Sequence, residues 1–400
     1  MKEGFEYVLQ YLNFRHIKKF GSLIPDEFTG EIDETFLKRM QGYELENTRF
    51  SFVSSIFGNV VTIIFLFGGL LNSYNSWIIS FHWNFVFAGT LFILLLSYAS
   101  TVLSVPFSLY GTFKIEKKYG FNTMTPKLWV TDFLKSLLLT TVLAGTLVSV
   151  GLWLVQSSPH YWWIWLWGFF LIYSLFVMYI SPYVIEPLFN KFTPIGEAEL
   201  EEKIMELMKR ANITVSRVFK MDASARSRHS NAYFSGIGGV KRIILFDTLL
   251  QTMNRDEILG VLAHEAGHWK KKHVLKMIIA TELLSLIAIY VSFRVLQTGF
   301  LTDLFHITQD SFLAQIVVLG FLGGIVSFPF VPLSSYISRR FEREADVFAC
   351  GLTGNKEAMA SALIKLSKDN LSNLHPHPLY AAFYYSHPPV VERIKGIRRE

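Results

Sequence analysis

Apolar residues dominate six stretches of the chain, each near the roughly 20 residues a helix needs to cross a bilayer. They run at about 52–71, 84–109, 136–155, 161–180, 274–295 and 312–335. The second has Pro106 near its end. The fourth opens on YWWIWLW, an aromatic run suited to a membrane–water interface. The sixth leaves through Pro329 and Pro332, and the fifth carries Glu282. A carboxylate inside a span is costly unless it faces polar space or is hydrogen-bonded. Six such runs are too many for the buried helices of a soluble protein, so the pattern predicts a mostly α-helical, multi-pass membrane protein. The first twenty residues carry a charge every few positions, with no clean apolar core. They read as an amphipathic helix, or as the tail of a span whose start is missing, rather than as a signal peptide.

The polar intervals alternate in charge. Residues 1–50 hold Lys2, Arg15, Lys18, Lys19, Lys38, Arg39 and Arg49, whereas the loop at 72–83 holds no Lys or Arg. Lys114, Lys117, Lys118 and Lys127 mark the next interval, and the loop at 157–160 is again without them. The long interval 185–273 is rich in Lys, 299–311 has neither cation, and the tail from 337 is basic. Cytoplasmic loops carry the excess of Lys and Arg, so 185–273 and 337–400 are expected on the cytoplasmic side. Four regions follow: 1–184 with four spans, 185–273 as a catalytic segment, 274–336 with two spans, and 337–400 as a second catalytic segment. The net charge of +6 belongs to this juxtamembrane pattern, and no nucleic-acid partner is expected. The single cysteine, Cys350, excludes an intrachain disulfide framework and a Cys-based zinc site.

Between the fourth and fifth spans the period changes. EAELEEKIMELMKRA repeats its apolar residues at helical spacing, while VSRVFKMDA, NAYFSG and KRIILF read as strands, the second ending in turn residues. DEILGVLA then begins a helix with acids in its first turn. That helix carries HEAGH, with His264 and His268 four residues apart. Both imidazoles face one side of the helix and can reach one ion, and Glu265, one step round, is placed to act on water. A catalytic zinc site takes three protein ligands and keeps one position open. After the sixth span, SRRFEREADVFA offers Glu342 and Asp346 on a shared face while Glu344 points elsewhere. Glu342 is the expected third ligand, and Asp346 a carboxylate holding a ligand histidine by its ring N–H. The alternative is a surface helix whose acids are neutralised by Arg339, Arg340 and Arg343. His229 and His273 read as network or surface residues rather than ligands.

These stretches, with IEKKYGFN from Ile115, PLFNKFTP from Pro187, RSRHSNAYFSG from Arg226, KRIILFDTLL from Lys241 and SHPPVVERI from Ser386, resemble the Ste24-type CAAX prenyl protease 1 family. This is a family of integral-membrane zinc metallopeptidases grouped with the HtpX-like proteases. The resemblance implies seven spans forming a helical barrel around a chamber, of which six are legible, with a cytoplasmic zincin-like α+β catalytic module. It implies one Zn²⁺ per chain on His264, His268 and Glu342, and places His387 at the active site. His387 is also the best candidate donor to a developing oxyanion, its backbone restricted by Pro388 and Pro389.

NAYFSG suits a substrate edge, with Asn231 bonding a peptide and Ala232, Tyr233 and Phe234 pairing with it as an added strand. Arg393 is a candidate for orienting the site or binding carboxylate. The implied activity is endopeptidase cleavage that removes the last three residues of a prenylated CaaX-type protein. The implied enzyme is monomeric and bilayer-embedded, in the inner membrane of a bacterium or the endoplasmic reticulum of a eukaryote. Turnover of membrane proteins is the alternative within the group. A transporter, or a scaffold with structural zinc, is the alternative from other classes.

Overall fold

A computed structural model describes residues 2–236, 240–309 and 311–399. Helix α1 (Lys2–Phe20) is followed by α2 (Glu34–Phe67), which begins where the Asp33 carboxylate accepts from the Phe36 amide at 2.7 Å. At about 1.5 Å per residue α2 is about 50 Å long, far more than a bilayer core requires. Its first turns therefore project beyond the membrane, and Leu37 and Met40 are buried there against Phe28, Ile364 and Ile394. Gly68 and Gly69, the latter at φ 83°, end α2 short of the expected residue 71, and α3 (Leu70–Ile79) turns back. Helices α4 (Phe85–Tyr110), α5 (Pro126–Ser157) and α6 (Trp162–Ile180) follow. Asn84 and Thr125 cap the first two, and Pro126 sits at the first position of α5, where its missing N–H costs nothing.

The short α7 (Glu186–Phe189) leads into the catalytic module. Strand β1 (Phe192–Pro194), α8 (Ala198–Arg210), β2 (Thr214–Met221), β3 (Ala232–Ser235) and β4 (Val240–Phe246) follow in order. They form a sheet of order β1-β2-β4-β3, with β2 and β4 parallel and the other pairs antiparallel. The three strands expected from the sequence are present. The turn expected beyond Ser235 runs into 237–239, which lie outside the described residues. Next come α9 (Asp247–Thr252), α10 (Arg255–Lys270), the membrane helix α11 (His273–Leu296), α12 (Phe300–Leu304) and α13 (Phe312–Ser327). A short 3₁₀ turn at Phe328–Phe330 connects α13 to α14 (Val331–Thr353), and α15 (Lys356–Asp369), α16 (Pro378–Tyr384) and α17 (Val390–Arg399) close the chain.

Six helical segments among the described residues are long and apolar enough to span a membrane. The seventh span implied by the resemblance is not among them. Helix α1 is charged, keeps Phe5, Val8 and Tyr11 exposed while burying Leu9 and Ile17, and packs on α2 and α16. Only 0–22% of each span's most apolar window is buried. Helices packed round a solid core would bury a whole face, so these six form a wall that is largely open, with one packed cluster around Leu66, Phe92, Leu152 and Leu313. The module beneath it has a true core: Leu200, Ile204, Ile243, Leu245 and Leu262 are inaccessible or nearly so. The sixth span also differs from expectation. It does not stop near residue 335. After the turn at Pro329, α14 runs unbroken into the module and carries Glu342 and Asp346 with it.

Candidate active site

Helix α10 is fixed at its start by a reciprocal cap. The Glu257 amide donates to Asn254 Oδ1 at 3.0 Å, and the Asn254 amide donates to Glu257 Oε2 at 2.7 Å. Ser361 and Lys365 of α15 bind the same carboxylate at 2.6 and 2.7 Å. Ten residues on, α10 crosses α14 through small side chains: Ala263, Ala266, Ala345 and Ala349 are all fully buried. Gly267 lies at the crossing, where a Cβ would stand 3.0 Å from the Ala345 Cα. Any larger residue there would hold the helices apart. This close approach is what brings the α10 imidazoles to the α14 carboxylates.

His264, His268 and Glu342 present one ligand atom each, all within 4.8 Å of one another. The two Nε2 atoms are 3.1 Å apart, and Glu342 lies 3.3 Å from His264 Nε2 and 3.2 Å from His268 Nε2. His264 Nδ1 is 2.8 Å from Asp346 Oδ1. Arg393 grips Asp346 with two bonds, Nε to Oδ2 at 2.9 Å and a terminal nitrogen to Oδ1 at 2.6 Å. With Nδ1 of His264 turned to that carboxylate, its Nε2 offers a lone pair to the other acceptors. Glu342 Oε2 is buried with no hydrogen-bond partner, and the nearest cation to it, Arg393 Nη1, stands 3.6 Å away. A further cation among these converging lone pairs would satisfy them. Tetrahedral zinc with nitrogen ligands at about 2.0–2.1 Å would separate them by about 3.3 Å, so the residues fit the ion. Without a metal a proton takes its place. Burial alone would lower the His264 imidazole, but Asp346 and Glu342 push it up to about 9.

Glu265 is half-buried beside the triad, and no described residue hydrogen-bonds or ion-pairs with its carboxylate. Burial pushes it above the ordinary carboxylate range, which suits a base. His387 Nε2 stands 3.4 Å from Glu342 Oε1, and its Nδ1 is 3.0 Å from Ser386 Oγ. Partial desolvation beside the cluster, reinforced by Arg393, lowers this ring from the usual histidine value against the pull of Glu342, although 61% of the side chain is exposed. Two cavities flank the cluster. One of about 560 Å³ is lined by Tyr385, His387, Pro388, Arg393, Asn370 and Asn373. The other, about 430 Å³ and mostly apolar, runs from His268 along α6 and α11 to Glu282. Glu282 is bound there by Ser174 at 3.2 Å and Ser285 at 3.4 Å, a hydrogen-bonded acid at a cavity wall.

The fold thus brings together His264, Glu265, His268, Glu342, Asp346, His387 and Arg393. Residues 231–234 lie further off. Strand β3 packs on α10 and is an edge strand, since no described strand lies on its outer side. Ala232 is buried, Phe234 packs against the core, and Tyr233 donates to Glu186 at 2.9 Å. Exposed Asn231 accepts from the Ala232 amide at 2.8 Å. Contact with a peptide would therefore be through the strand's backbone. Sequence reasoning named Arg393 as a candidate for orienting the site, but not its partner, the Asp346 carboxylate.

The chain's similarities agree with this geometry. The family model for the CAAX prenyl protease N-terminal region, five membrane helices, matches residues 13–191, and that for peptidase family M48 matches residues 194–400. A CAAX prenyl protease 1 homolog from Arabidopsis thaliana is 35% identical, covering 98% of this chain and 94% of its own. CAAX prenyl protease 1 of Saccharomyces cerevisiae is 32% identical over 97% of this chain and 91% of its own. The crystal structure of S. mikatae Ste24p superposes with a TM-score of 0.92 at 31% identity, covering 98% of this chain and 96% of that one. With both family models matched and these relatives covered along nearly the whole chain, the chain belongs to peptidase family M48 as an integral-membrane metallopeptidase of the CAAX prenyl protease 1 type.

Proposed function

We propose that the chain binds one zinc ion through His264, His268 and Glu342 and hydrolyses a peptide bond near the C-terminus of prenylated CaaX-type proteins, releasing the last three residues. The carrying observation is the meeting of one ligand atom each from His264, His268 and Glu342 within 4.8 Å, with a Glu265 beside them whose carboxylate no described residue binds. When bound, zinc supplies a Lewis acid that polarises the scissile carbonyl and makes water more acidic. Glu265 accepts the proton of the attacking water and returns it to the departing amine. His387, with Nδ1 at the Ser386 hydroxyl, donates its Nε2–H to the oxygen that gains charge. Arg393 and Asp346 lock His264 in the tautomer that leaves Nε2 free. The outer edge of β3 pairs with the extended peptide through Asn231, Ala232, Tyr233 and Phe234.

The alternation of basic and cation-free loops supports a cytoplasmic catalytic module. The prenyl-protein substrate is supported by what the Arabidopsis and yeast relatives are named for and by the apolar cavity beside His268. The enzyme acts as a monomer. The test compares a prenylated CaaX peptide with its unprenylated twin, each with and without chelator. Faster cleavage of the prenylated peptide, abolished by chelation, is expected. Equal rates on the two would assign the site to general membrane-protein turnover.

A further inference from the structure

His264 is held by a carboxylate, but the second imidazole is held differently. His268 directs Nε2 at Glu342 and turns Nδ1 to His273 Nδ1, 3.1 Å away. His273 Nε2 stands 3.2 Å from Glu344 Oε2, and Arg340 Nε donates to the other oxygen of Glu344 at 3.0 Å. We propose that His273, backed by Glu344, is a positioning residue that holds His268 in its metal-binding tautomer and orientation.

The hydrogen count allows one arrangement for neutral rings. If Nε2 of His268 gives its lone pair to a metal, its Nδ1 carries the proton. That N–H needs an acceptor, and among the described residues the atom it reaches is Nδ1 of His273. His273 must then carry its own proton on Nε2, where Glu344 accepts it. The two ligand histidines are thus supported by different chains, one ending on Asp346 and the other passing through a second ring to Glu344. Nδ1 of His273 faces the outer nitrogen of His268, on the far side of that ring from Glu342, so His273 is not itself a ligand.

The backbone is shaped for this placement. Only Lys271 and Lys272 separate α10 from α11, and Lys272 takes a left-handed conformation, φ 56°, uncommon for a residue with a side chain. That reversal turns the first residue of α11 back towards α10. His273 is 2% exposed and its ring stacks on Phe341 at 4.1 Å and 7° between planes. Stacking fixes the ring plane, and the hydrogen bonds fix its direction within that plane.

The inference rests on His268 being a zinc ligand, and the experiment separates the two claims. Full-length protein is purified in detergent, stripped of metal, and its zinc affinity measured by competition with a chromophoric chelator. His273→Phe keeps the stack and removes the acceptor, and should weaken zinc binding by tenfold or more, in the range typical of such supporting groups. His273→Asn places an amide oxygen where Nδ1 stood and should recover affinity to within about threefold of wild type. Glu344→Ala, at a partly exposed position that does not threaten folding, should weaken binding by at least about threefold. In zinc-saturated assays the loss in His273→Phe should fall on kcat rather than KM. An unchanged affinity in His273→Phe, or in Glu344→Ala, would overturn the inference while leaving the metal site standing. A His273→Asn protein no better than His273→Phe, with both melting as wild type does, would also overturn it. Wild-type protein that binds no zinc would overturn the site and the inference together.

Discussion

Glu265 lies one residue from a metal-seeking imidazole, yet no described side chain claims its carboxylate. Replacing it with Gln keeps the shape and removes the base. Glu265→Gln is expected to retain the metal and lose about 10²- to 10⁴-fold in turnover, measured as kcat on a cleavable peptide. His387→Ala should cost about 10²- to 10³-fold in kcat if the ring donates to the developing oxyanion, with little change in metal content. At this scale the sequence was most legible where spacing alone determines direction. His264 and His268 share a face by helical geometry, as do Glu342 and Asp346, and both pairs meet as that geometry requires. The partners of Arg393 and His273 were illegible for the opposite reason. They lie 47 and 71 residues away, at Asp346 and Glu344, and no local period reveals such a contact.

Helix α10 has two devices that a periodic pattern does not announce. The first is Gly267, whose missing side chain lets α14 approach. Gly267→Val should push Ala345 away, cost about 1–3 kcal/mol by overpacking, and weaken metal binding because Glu342 moves with α14. Chelator competition and thermal unfolding in detergent would measure both. The second is the buried Glu257 carboxylate, which joins the start of α10 to α15. Burial alone would raise it, but Lys365, Ser361 and the Asn254 amide hold it below the ordinary carboxylate range. A group depressed in the folded state stabilises above its unfolded pKa and loses that contribution as pH falls through its folded value. Glu257→Gln should therefore lower stability at neutral pH by about 2 kcal/mol. The gap to wild type should narrow as the unfolding temperature is followed below pH 4. Helices and strands of the module were readable from their periods. The union of the sixth span with the ligand helix was not, because Pro329 and Pro332 signal an end where the chain makes only a short 3₁₀ turn.

Across the whole molecule, hydropathy gave the number and rough limits of the spans because each is a long apolar run. It could not show that they form a wall rather than a bundle, since lipid and a hollow interior both accept the same apolar side chains. The low burial of those helices carries that distinction. α2 and α14 each leave the wall to enter the module, so membrane and catalytic parts are tied by continuous helices. Loop charge fixes the expected orientation. A reporter fused after Arg399 should stay cytoplasmic, and one inserted in the loop at 157–160 should face the opposite side. A reversed result would displace the proposed sidedness but not the metal site.

The central claim is that two imidazoles and a carboxylate on crossing helices hold one zinc ion that works with Glu265 to hydrolyse peptides. Its most direct test follows cleavage of a CaaX peptide by purified protein that is stripped of metal, reloaded with zinc in steps, and compared with Glu265→Gln. Activity should vanish on stripping and return in full at about one equivalent of zinc per chain, the stoichiometry of a single three-ligand site. The Gln variant should bind that same equivalent and remain inactive. Cleavage that persists without metal, or a Gln variant as active as wild type, would contradict the account.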